Sequence, residues 1–229
     1  MSVLSRKSIE DRLRLEIDKP GSLVVTPLLL PQSALDYDSI DLRLGSFFLI
    51  RDNRSQPVQD PTRDVQAPQF YTRVHVPIGS FFVIPAHETV LGATLEFIKL
   101  PNDLSGQILT KSSIARTFMV IETAPWVHPL YRGCLTLEIA NVSNTPLLVF
   151  PGLPIGQLVL MQGDTAAPDG MPSSSYLGPV FPEPAPYKHP KVELAQIGIK
   201  EYLNPTTGCW ERTALSPSPG ESDRREILP

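Results

Sequence analysis

Proline limits what this chain can fold into more than any other residue, because it occupies 25 of the 229 positions. Average proteins contain about 5% proline, roughly half this share. Proline breaks helices and cannot donate a hydrogen bond to a sheet ladder. The sequence therefore predicts short strands, many turns and extended arms.

Apolar runs rich in branched and aromatic residues follow one another after Pro20, separated by proline, glycine, asparagine and aspartate. Almost no helical periodicity lies between them. Short strands at this spacing are typical of a sandwich, a jelly roll or a distorted barrel. We therefore predict an all-β fold with strands in residues 23–30, 40–50, 74–84, 90–100, 106–110, 119–123, 133–142 and 147–161.

One short amphipathic helix is expected before the strands, in residues 5–17. Ser5 or Ser8 can cap its first turn, because serine hydroxyls accept from free helical N–H groups. Ile9, Leu13 and Ile17 recur at helical spacing.

Two stretches depart from the strand pattern. Residues 51–71 are polar and interrupted by proline, so we expect an excursion between two strands. Residues 1–162 form the predicted β domain, and residues 163–229 form an extended, proline-rich C-terminal arm. Within the arm, we expect residues 192–202 to dock on the domain and residues 216–229 to be disordered.

Charge and composition argue against several classes of protein. A formal net charge of −4 does not fit a broad nucleic-acid surface, which needs clustered lysine and arginine. The N-terminus lacks the apolar core of a signal peptide, and no run reaches the roughly 18 apolar residues of a membrane span. We expect a cytoplasmic protein in which Cys134 and Cys209 are reduced thiols.

The motifs of several hydrolase classes are missing. Zinc-dependent deaminases use His-x-Glu followed by Pro-Cys-x-x-Cys. None of the four histidines has a glutamate two positions later, and no Cys-x-x-Cys occurs. The sequence also lacks a Gly-x-Ser-x-Gly elbow and a phosphate-binding Walker loop. We expect no protein-bound metal.

Two polar segments interrupt the apolar runs. In residues 39–45, Asp41 and Arg43 share one face of a strand, and a structural ion pair is the simplest interpretation. In residues 110–116, two serines follow the end of a strand, and a cation lies on each side of them. Hydroxyls, cations and helical N–H groups converging there suit a phosphate chain, although a capped basic turn has the same pattern.

Glu138 lies in the middle of the predicted strand 133–141. Strand alternation places Leu135, Leu137 and Ile139 on one face, and Glu138 on the other among small or apolar neighbours. Either that face is solvated and the carboxylate is simply hydrated, or the carboxylate lies in a pocket and moves protons in a reaction.

The motifs, taken together and in this order, strongly resemble the deoxycytidine triphosphate deaminase family of the deoxyUTPase-like superfamily. The resemblance covers residues 3–162 and includes segments 39–45, 100–106, 111–116, 123–141 and 151–158. It implies a distorted β barrel or jelly roll assembled as a homotrimer, with active sites at subunit interfaces. It also implies a nucleotide whose phosphates carry Mg²⁺.

The resemblance assigns roles to Glu138 and to the segment 110–116. Glu138 falls on the family's catalytic glutamate, a position where deoxyUTPases have none. Ser112, Ser113 and Arg116 match the segment that holds the phosphates. Lys111 stands where the family usually has arginine, which keeps the charge but loses the bidentate fork.

The turn before the catalytic strand resembles the family's base- and sugar-recognising turn. Main-chain groups around Ala124, Trp126 and Val127 would bind the pyrimidine edge, and Tyr131 would lie under the deoxyribose. His128 replaces the aspartate of the family's Asp-Pro-Gly turn. It could bind the sugar 3′-hydroxyl, or serve as a turn histidine with no ligand.

The resemblance also places Gln157 and Tyr176 among the substrate contacts. Family members close the site with a tail resembling Tyr-x-Gly-Lys-Tyr-Gln. Here Gly178 is kept but Pro179 follows it, so the tail's cation is missing. The usual triphosphate is one possible substrate, and a mono- or diphosphate or a modified nucleotide is another.

The sequence therefore predicts hydrolytic deamination of a deoxycytidine nucleotide, most simply of dCTP to dUTP and ammonia. One alternative is a deoxyUTPase-type or bifunctional diphosphohydrolase, and Glu138 counts against its pure form. The other alternative is a non-catalytic relative that senses nucleotides, which the altered turn and tail would fit.

Overall fold

The computed structural model describes residues 2–51, 71–164, 166–167 and 178–184, together with the backbone of residues 199–203 and 210–214. Three helices and fifteen strands occur in these ranges. In chain order they are β1 (Ser2–Val3), α1 (Arg6–Leu13), β2 (Val24–Thr26), α2 (Pro31–Ala34), β3 (Ser39–Arg43), β4 (Phe47–Arg51), β5 (Tyr71–His75), β6 (Phe82–Ile84), β7 (Thr89–Lys99), β8 (Leu104–Thr110), α3 (Ser112–Ala115), β9 (Met119–Ile121), β10 (Trp126–Val127), β11 (Arg132–Asn141), β12 (Leu147–Val149), β13 (Pro154–Gln162), β14 (Ile199–Leu203) and β15 (Trp210–Ala214).

Two antiparallel sheets make up most of the first compact unit, which holds β1 to β13 and the helices. The first sheet has the order β1-β13-β8-β10, with β3 also paired to β13. The second has the order β5-β4-β7-β11-β9, with β2 also paired to β7. The predicted all-β fold is confirmed, although the pairings of the described strands leave the barrel open rather than closed.

One hydrophobic cluster draws side chains from both sheets. Phe48, Ile98 and Leu137 come from the second sheet, and Leu104 and Leu158 come from the first; each is at most 1% exposed. Burying a side chain of this size contributes about 1.5–3 kcal/mol. The cluster therefore fixes β8, which precedes the segment 110–116, and β11, which carries Glu138.

All eight runs predicted as strands contain strands, but three of them contain two. Residues 40–50 form β3 in one sheet and β4 in the other, with Gly45 at the crossing. The Gly45 N–H donates to the Ala93 carbonyl, and an added Cβ would lie 2.9 Å from that oxygen. This close backbone contact turns the chain from one sheet into the other.

The helix α1 is shorter than predicted. It begins after Ser5, whose side chain caps it, but it ends at Leu13. Ile17 lies beyond the helix and is 67% exposed. The guanidinium of Arg12 donates to the carbonyl of Gly21, so the chain folds back on the helix soon after its end.

The strands β4 and β5 pair along their whole length, from Phe47 opposite His75 to Arg51 opposite Tyr71. The segment predicted as an excursion therefore connects two neighbouring strands, as expected. The hairpin of β14 and β15 belongs to the second compact unit. Residues 192–198 and 216–229 lie outside the described residues, so the docking and disorder expected there stay predictions. No helix in the described part of the chain is long and apolar enough to cross a membrane.

Candidate active site

The strand β11 lies between β7 and β9 in the second sheet and carries Glu138. Leu135, Leu137 and Ile139 are 5%, 1% and 0% exposed and belong to the core cluster. Thr136 and Glu138, on the opposite face, are half-buried. The alternation expected for this strand is therefore present, and Glu138 is not a fully hydrated carboxylate.

The main chain of Glu138 is held by the segment that follows β9. Its N–H donates to the hydroxyl of Thr123 at 2.9 Å, and its carbonyl accepts from the N–H of Glu122 at 2.8 Å. The carboxylate oxygen Oε2 is buried and has no hydrogen-bond partner among the described residues. A buried polar atom without a partner costs about 1–3 kcal/mol, which a hydrogen-bonding ligand would offset.

A second buried carboxylate, not predicted from the sequence, lies on β7, the neighbouring strand of β11. Glu96 is 2% exposed, and its Oε2 accepts from the backbone N–H of Arg43 at 2.9 Å. Burial raises the pKa of Glu96 to about 7, while the Arg43 N–H and charge act in the opposite direction. The available signal was a glutamate inside the apolar run 90–100.

Glu96 belongs to an irregular part of β7 opposite Leu135, where the register with β11 shifts between Cys134 and Thr136. The Thr94 hydroxyl donates to the Glu96 carbonyl at 2.7 Å and accepts from the Leu135 N–H at 2.9 Å. One side chain thus joins the two strands where the regular ladder is interrupted, three residues before Glu138.

The basic segment forms the end of β8 and the short helix α3, as the sequence predicted. Lys111 is the residue before the helix, and no side chain caps its start. Ser112, Ser113 and Arg116 are exposed. Two hydroxyls and a guanidinium are therefore free of the core and accessible to an anionic ligand.

Asp41 does not pair with Arg43, its expected partner. The ammonium of Lys111 lies 2.5 Å from Asp41 Oδ2, and Gln157 Nε2 lies 3.4 Å from Asp41 Oδ1. Arg43 is 8% exposed and donates to the carbonyl of Leu29 at 3.4 Å. Asp41 lies directly opposite Gln157 in the sheet, which brings these two side chains together.

The strand β9 connects the basic segment to the Glu138 strand. Thr110, the last residue of β8, accepts a hydrogen bond from the Ile121 N–H through its hydroxyl at 2.9 Å. Ile121 in turn pairs with Ile139 on β11. The structure therefore places β9 between the segment predicted to bind phosphate and the strand that carries the predicted acid–base residue.

The turn before β11 includes β10, a two-residue strand that pairs with β8. Ala124 and His128 are exposed, Trp126 is 40% exposed, and Val127 is buried. Tyr131 is 7% exposed, and burial raises the pKa of its phenol.

The phenol of Tyr131 donates to the carbonyl of Cys134 at 2.8 Å. The backbone N–H of Tyr131 donates to the carbonyl of His128 at 3.3 Å, which keeps the turn compact. The sugar- and base-binding roles expected here stay predictions.

Part of the C-terminal arm lies along the first half of β11, on the part of the edge that β9 does not cover. The Gly178 N–H donates to the Arg132 carbonyl, and the Pro179 carbonyl accepts from the Cys134 N–H, both at 2.7 Å. The Glu183 N–H donates to the hydroxyl of Thr136 at 3.1 Å.

Phe181 anchors this segment through its ring. The ring contacts Phe47 edge to face with centroids 4.7 Å apart, and the Arg73 guanidinium lies 5.2 Å from its centroid. Tyr176, expected to contact substrate, lies outside the described residues.

The described residues contain no cluster of three or more histidine, cysteine, aspartate or glutamate side chains that could hold a metal ion. The polar groups of the site suit two tasks, phosphate binding and proton transfer. Serine hydroxyls, Lys111 and Arg116 can bind phosphate oxygens, and the unpaired oxygen of Glu138 can accept a proton or a hydrogen bond.

A family model described as dCTP deaminase-like matches residues 3–163. The dCTP deaminase, dUMP-forming, of Rhodococcus jostii is 36% identical, covering 77% of this chain and 94% of its own length. The enzyme of the same name from Methanobrevibacter smithii is 32% identical, covering 80% and 94%.

A solved structure supports the same fold. The crystal structure of 2′-deoxycytidine 5′-triphosphate deaminase from Agrobacterium tumefaciens matches with a TM-score of 0.53 and 24% identity. The match covers 70% of this chain and 46% of that chain, so this chain spans less than half of its length. With the family model spanning most of the sequence and relatives above 30% identity, the chain belongs to the dCTP deaminase-like family.

Proposed function

We propose that the protein deaminates dCTP hydrolytically, with Glu138 as the acid–base residue. The observation that carries the proposal is the buried Oε2 of Glu138, which has no partner among the described residues, on a strand that β9 links to a basic, serine-bearing segment. The names of the curated relatives support the same substrate.

In the proposed reaction, the oxygen of a water molecule attacks C4 of the cytosine ring, and Glu138 accepts a proton from that water. Glu138 passes this proton to N3, then takes the proton of the new C4 hydroxyl and delivers it to the exocyclic amine. The C4–N bond breaks, the C4 carbonyl forms and the amine leaves as ammonia. Water and dCTP thus give dUTP and ammonia. A general acid–base side chain typically contributes about 10²- to 10⁴-fold to such a step.

Ser112, Ser113, Lys111 and Arg116 would bind the triphosphate, with Mg²⁺ on the phosphate oxygens rather than on a protein site. We also propose that the active form is a homotrimer. The segment is exposed in the single chain, and an interface would exclude water from it, which strengthens each charge-assisted hydrogen bond.

A second candidate reaction is deamination followed by release of diphosphate, which would give dUMP. The relatives from Rhodococcus jostii and Methanobrevibacter smithii are both named as dUMP-forming, and these names support the bifunctional reaction as the second candidate. The arm, in which Pro179 and not a cation directly follows Gly178, is compatible with either product.

The deciding experiment measures ammonia and separates the nucleotide products after incubation of dCTP, dCMP or dUTP with Mg²⁺. Wild-type protein is compared with Glu138→Gln and with Glu122→Gln, since Glu122 is an exposed glutamate near the same strand. We expect Glu138→Gln alone to abolish ammonia release while nucleotide binding is kept.

Chromatography distinguishes the two reactions, because dUTP indicates simple deamination and dUMP indicates the bifunctional one. Turnover by Glu138→Gln at the wild-type rate would remove Glu138 from the mechanism. If all three nucleotides survive wild-type protein unchanged, a nucleotide-sensing role becomes the better explanation.

A further inference from the structure

Asp41 on β3 contacts both Gln157 on β13 and Lys111, the residue after β8. Gln157 on β13 lies opposite Asp41 on β3 and opposite Leu109 on β8. Lys111 follows Leu109 by two residues, so its side chain points to the same face as that of Leu109. The contact therefore follows from the register of the sheet and does not depend on a flexible loop.

The Asp41–Lys111 pair is more enclosed than an ordinary surface ion pair. The side chains are 12% and 22% exposed, whereas pairs in full solvent contribute little and move freely. Gln157 holds the second oxygen of Asp41. A lysine ammonium has three donors, so two of them stay available to another acceptor.

We propose that Asp41 is a positioning residue that fixes the Lys111 ammonium beside the phosphate-binding segment before a nucleotide arrives. Gln157 supports Asp41 in this role instead of contacting substrate itself. The inference rests on the proposed function, because it assigns Lys111 to the phosphates of that substrate. It explains how a flexible lysine can serve where the family usually has a more rigid arginine.

The size of the effect follows from the cost of ordering a side chain. Immobilising a lysine during binding weakens affinity by up to about tenfold, and a lysine already held in place avoids that cost. Asp41→Asn keeps the shape of the side chain and removes its charge. We expect this variant to bind dCTP about fivefold to tenfold more weakly and to bind deoxycytidine, which has no phosphate, with unchanged affinity.

The experiment measures dissociation constants for dCTP and deoxycytidine by calorimetry in a Glu138→Gln background, so that the nucleotide is not consumed. The matched control is Asp103→Asn. Asp103 forms an ion pair with Arg12 at the same 2.5 Å distance, with side-chain exposures of 21% and 22%. We expect the control to leave both affinities unchanged.

A double-mutant cycle with Lys111→Met separates positioning from other roles of the carboxylate. If Asp41 acts through Lys111, Asp41→Asn has no further effect on dCTP affinity once the ammonium is gone. An equal loss in the Lys111→Met background overturns the proposal. So does a loss that appears only with Mg²⁺, since it would place Asp41 on the metal.

Tighter dCTP binding by Asp41→Asn also overturns the proposal, because the carboxylate would then repel phosphate and not prepare its site. Should Asp41→Asn fail to fold, Asp41→Glu keeps the charge and displaces the ammonium, and an unchanged dCTP affinity overturns it. Ammonia release by the wild type tests the proposed function separately. Wild-type protein that binds no dCTP would refute both.

Discussion

The hydroxyl of Thr123 accepts a hydrogen bond from the backbone N–H of Glu138 at 2.9 Å. In a continuous ladder, a carbonyl from the neighbouring strand would accept at this position. The strand β9 ends at Ile121, however, and the side chain of Thr123 takes the place of that carbonyl. The catalytic candidate is thus fixed on one edge by a side chain.

We expect Thr123→Val to lower the free energy of unfolding by about 1–3 kcal/mol, because it leaves the Glu138 N–H without its acceptor. Thr123→Ser keeps the hydroxyl and is expected to stay close to wild type. Urea denaturation of the three proteins measures the difference. Equal stability of the valine variant and wild type would show that another group replaces the hydroxyl.

Arg116 supplies the exposed cation after α3. We expect Arg116→Ala to weaken dCTP binding about 10- to 100-fold, since charged hydrogen bonds contribute about 1.5–3 kcal/mol, and to leave deoxycytidine binding unchanged. Calorimetric titration checks both ligands. Arg14→Ala is the control, because Arg14 is 74% exposed and lies after α1. Equal losses for nucleotide and nucleoside would refute the phosphate role.

Gly133 has a φ of 142°, and a Cβ there would lie 2.4 Å from Cδ of Pro179. We expect Gly133→Ala to displace the docked part of the arm and to lower stability by about 1–3 kcal/mol. Limited proteolysis is the measurement, with faster cleavage within residues 178–184 expected.

Gly152→Ala is the matched control for Gly133→Ala. Gly152 has a φ of 88°, and no atom lies within 4 Å of an added Cβ. The Gly152→Ala substitution therefore adds backbone strain without a clash. Equal cleavage of the arm in both variants would mean that strain alone, and not contact with Pro179, causes the release.

The raised pKa of Glu96 makes stability depend on pH. The folded value of about 7 exceeds the ordinary 4.5 because burial outweighs the Arg43 contacts, and the nearby Asp41 charge adds to the rise. Folded protein therefore holds more protons between about pH 4.5 and 7, and the contribution of Glu96 to stability falls as pH rises through that window.

The comparison with Glu96→Gln isolates this contribution. We expect the wild-type stability, relative to the variant, to decline by on the order of 3 kcal/mol from pH 4.5 to 7 and to level off above. Thermal or urea unfolding at several pH values gives the curve. Parallel curves for the two proteins would contradict the assignment.

Local patterns predicted what depends on local geometry. The alternation of residues 133–141 placed Leu137 in the core and Glu138 on the opposite face, because strand periodicity is a property of consecutive residues. The helix after Lys111 and the strand positions were predictable for the same reason. The early end of α1 was not, since it depends on the Arg12 contact with Gly21.

The partner of Asp41 could not be predicted in the same way. Arg43 was the nearest cation along the strand, but Lys111 reaches Asp41 only through the joint register of β3, β13 and β8. Likewise, Glu96 is buried at the interruption of pairing opposite Leu135, where its carboxylate accepts from the N–H of Arg43 on another strand. Sequence spacing carries no direct information about such contacts between distant strands.

The arm along β11 also has a consequence for self-association. An uncovered strand edge offers N–H and carbonyl groups to any other chain and promotes aggregation. Here the covering segment contains Pro179 and Pro182, both buried, and neither can donate a hydrogen bond outward. The prolines that keep the chain from forming wide sheets thus also protect the edge of the Glu138 strand from intermolecular pairing.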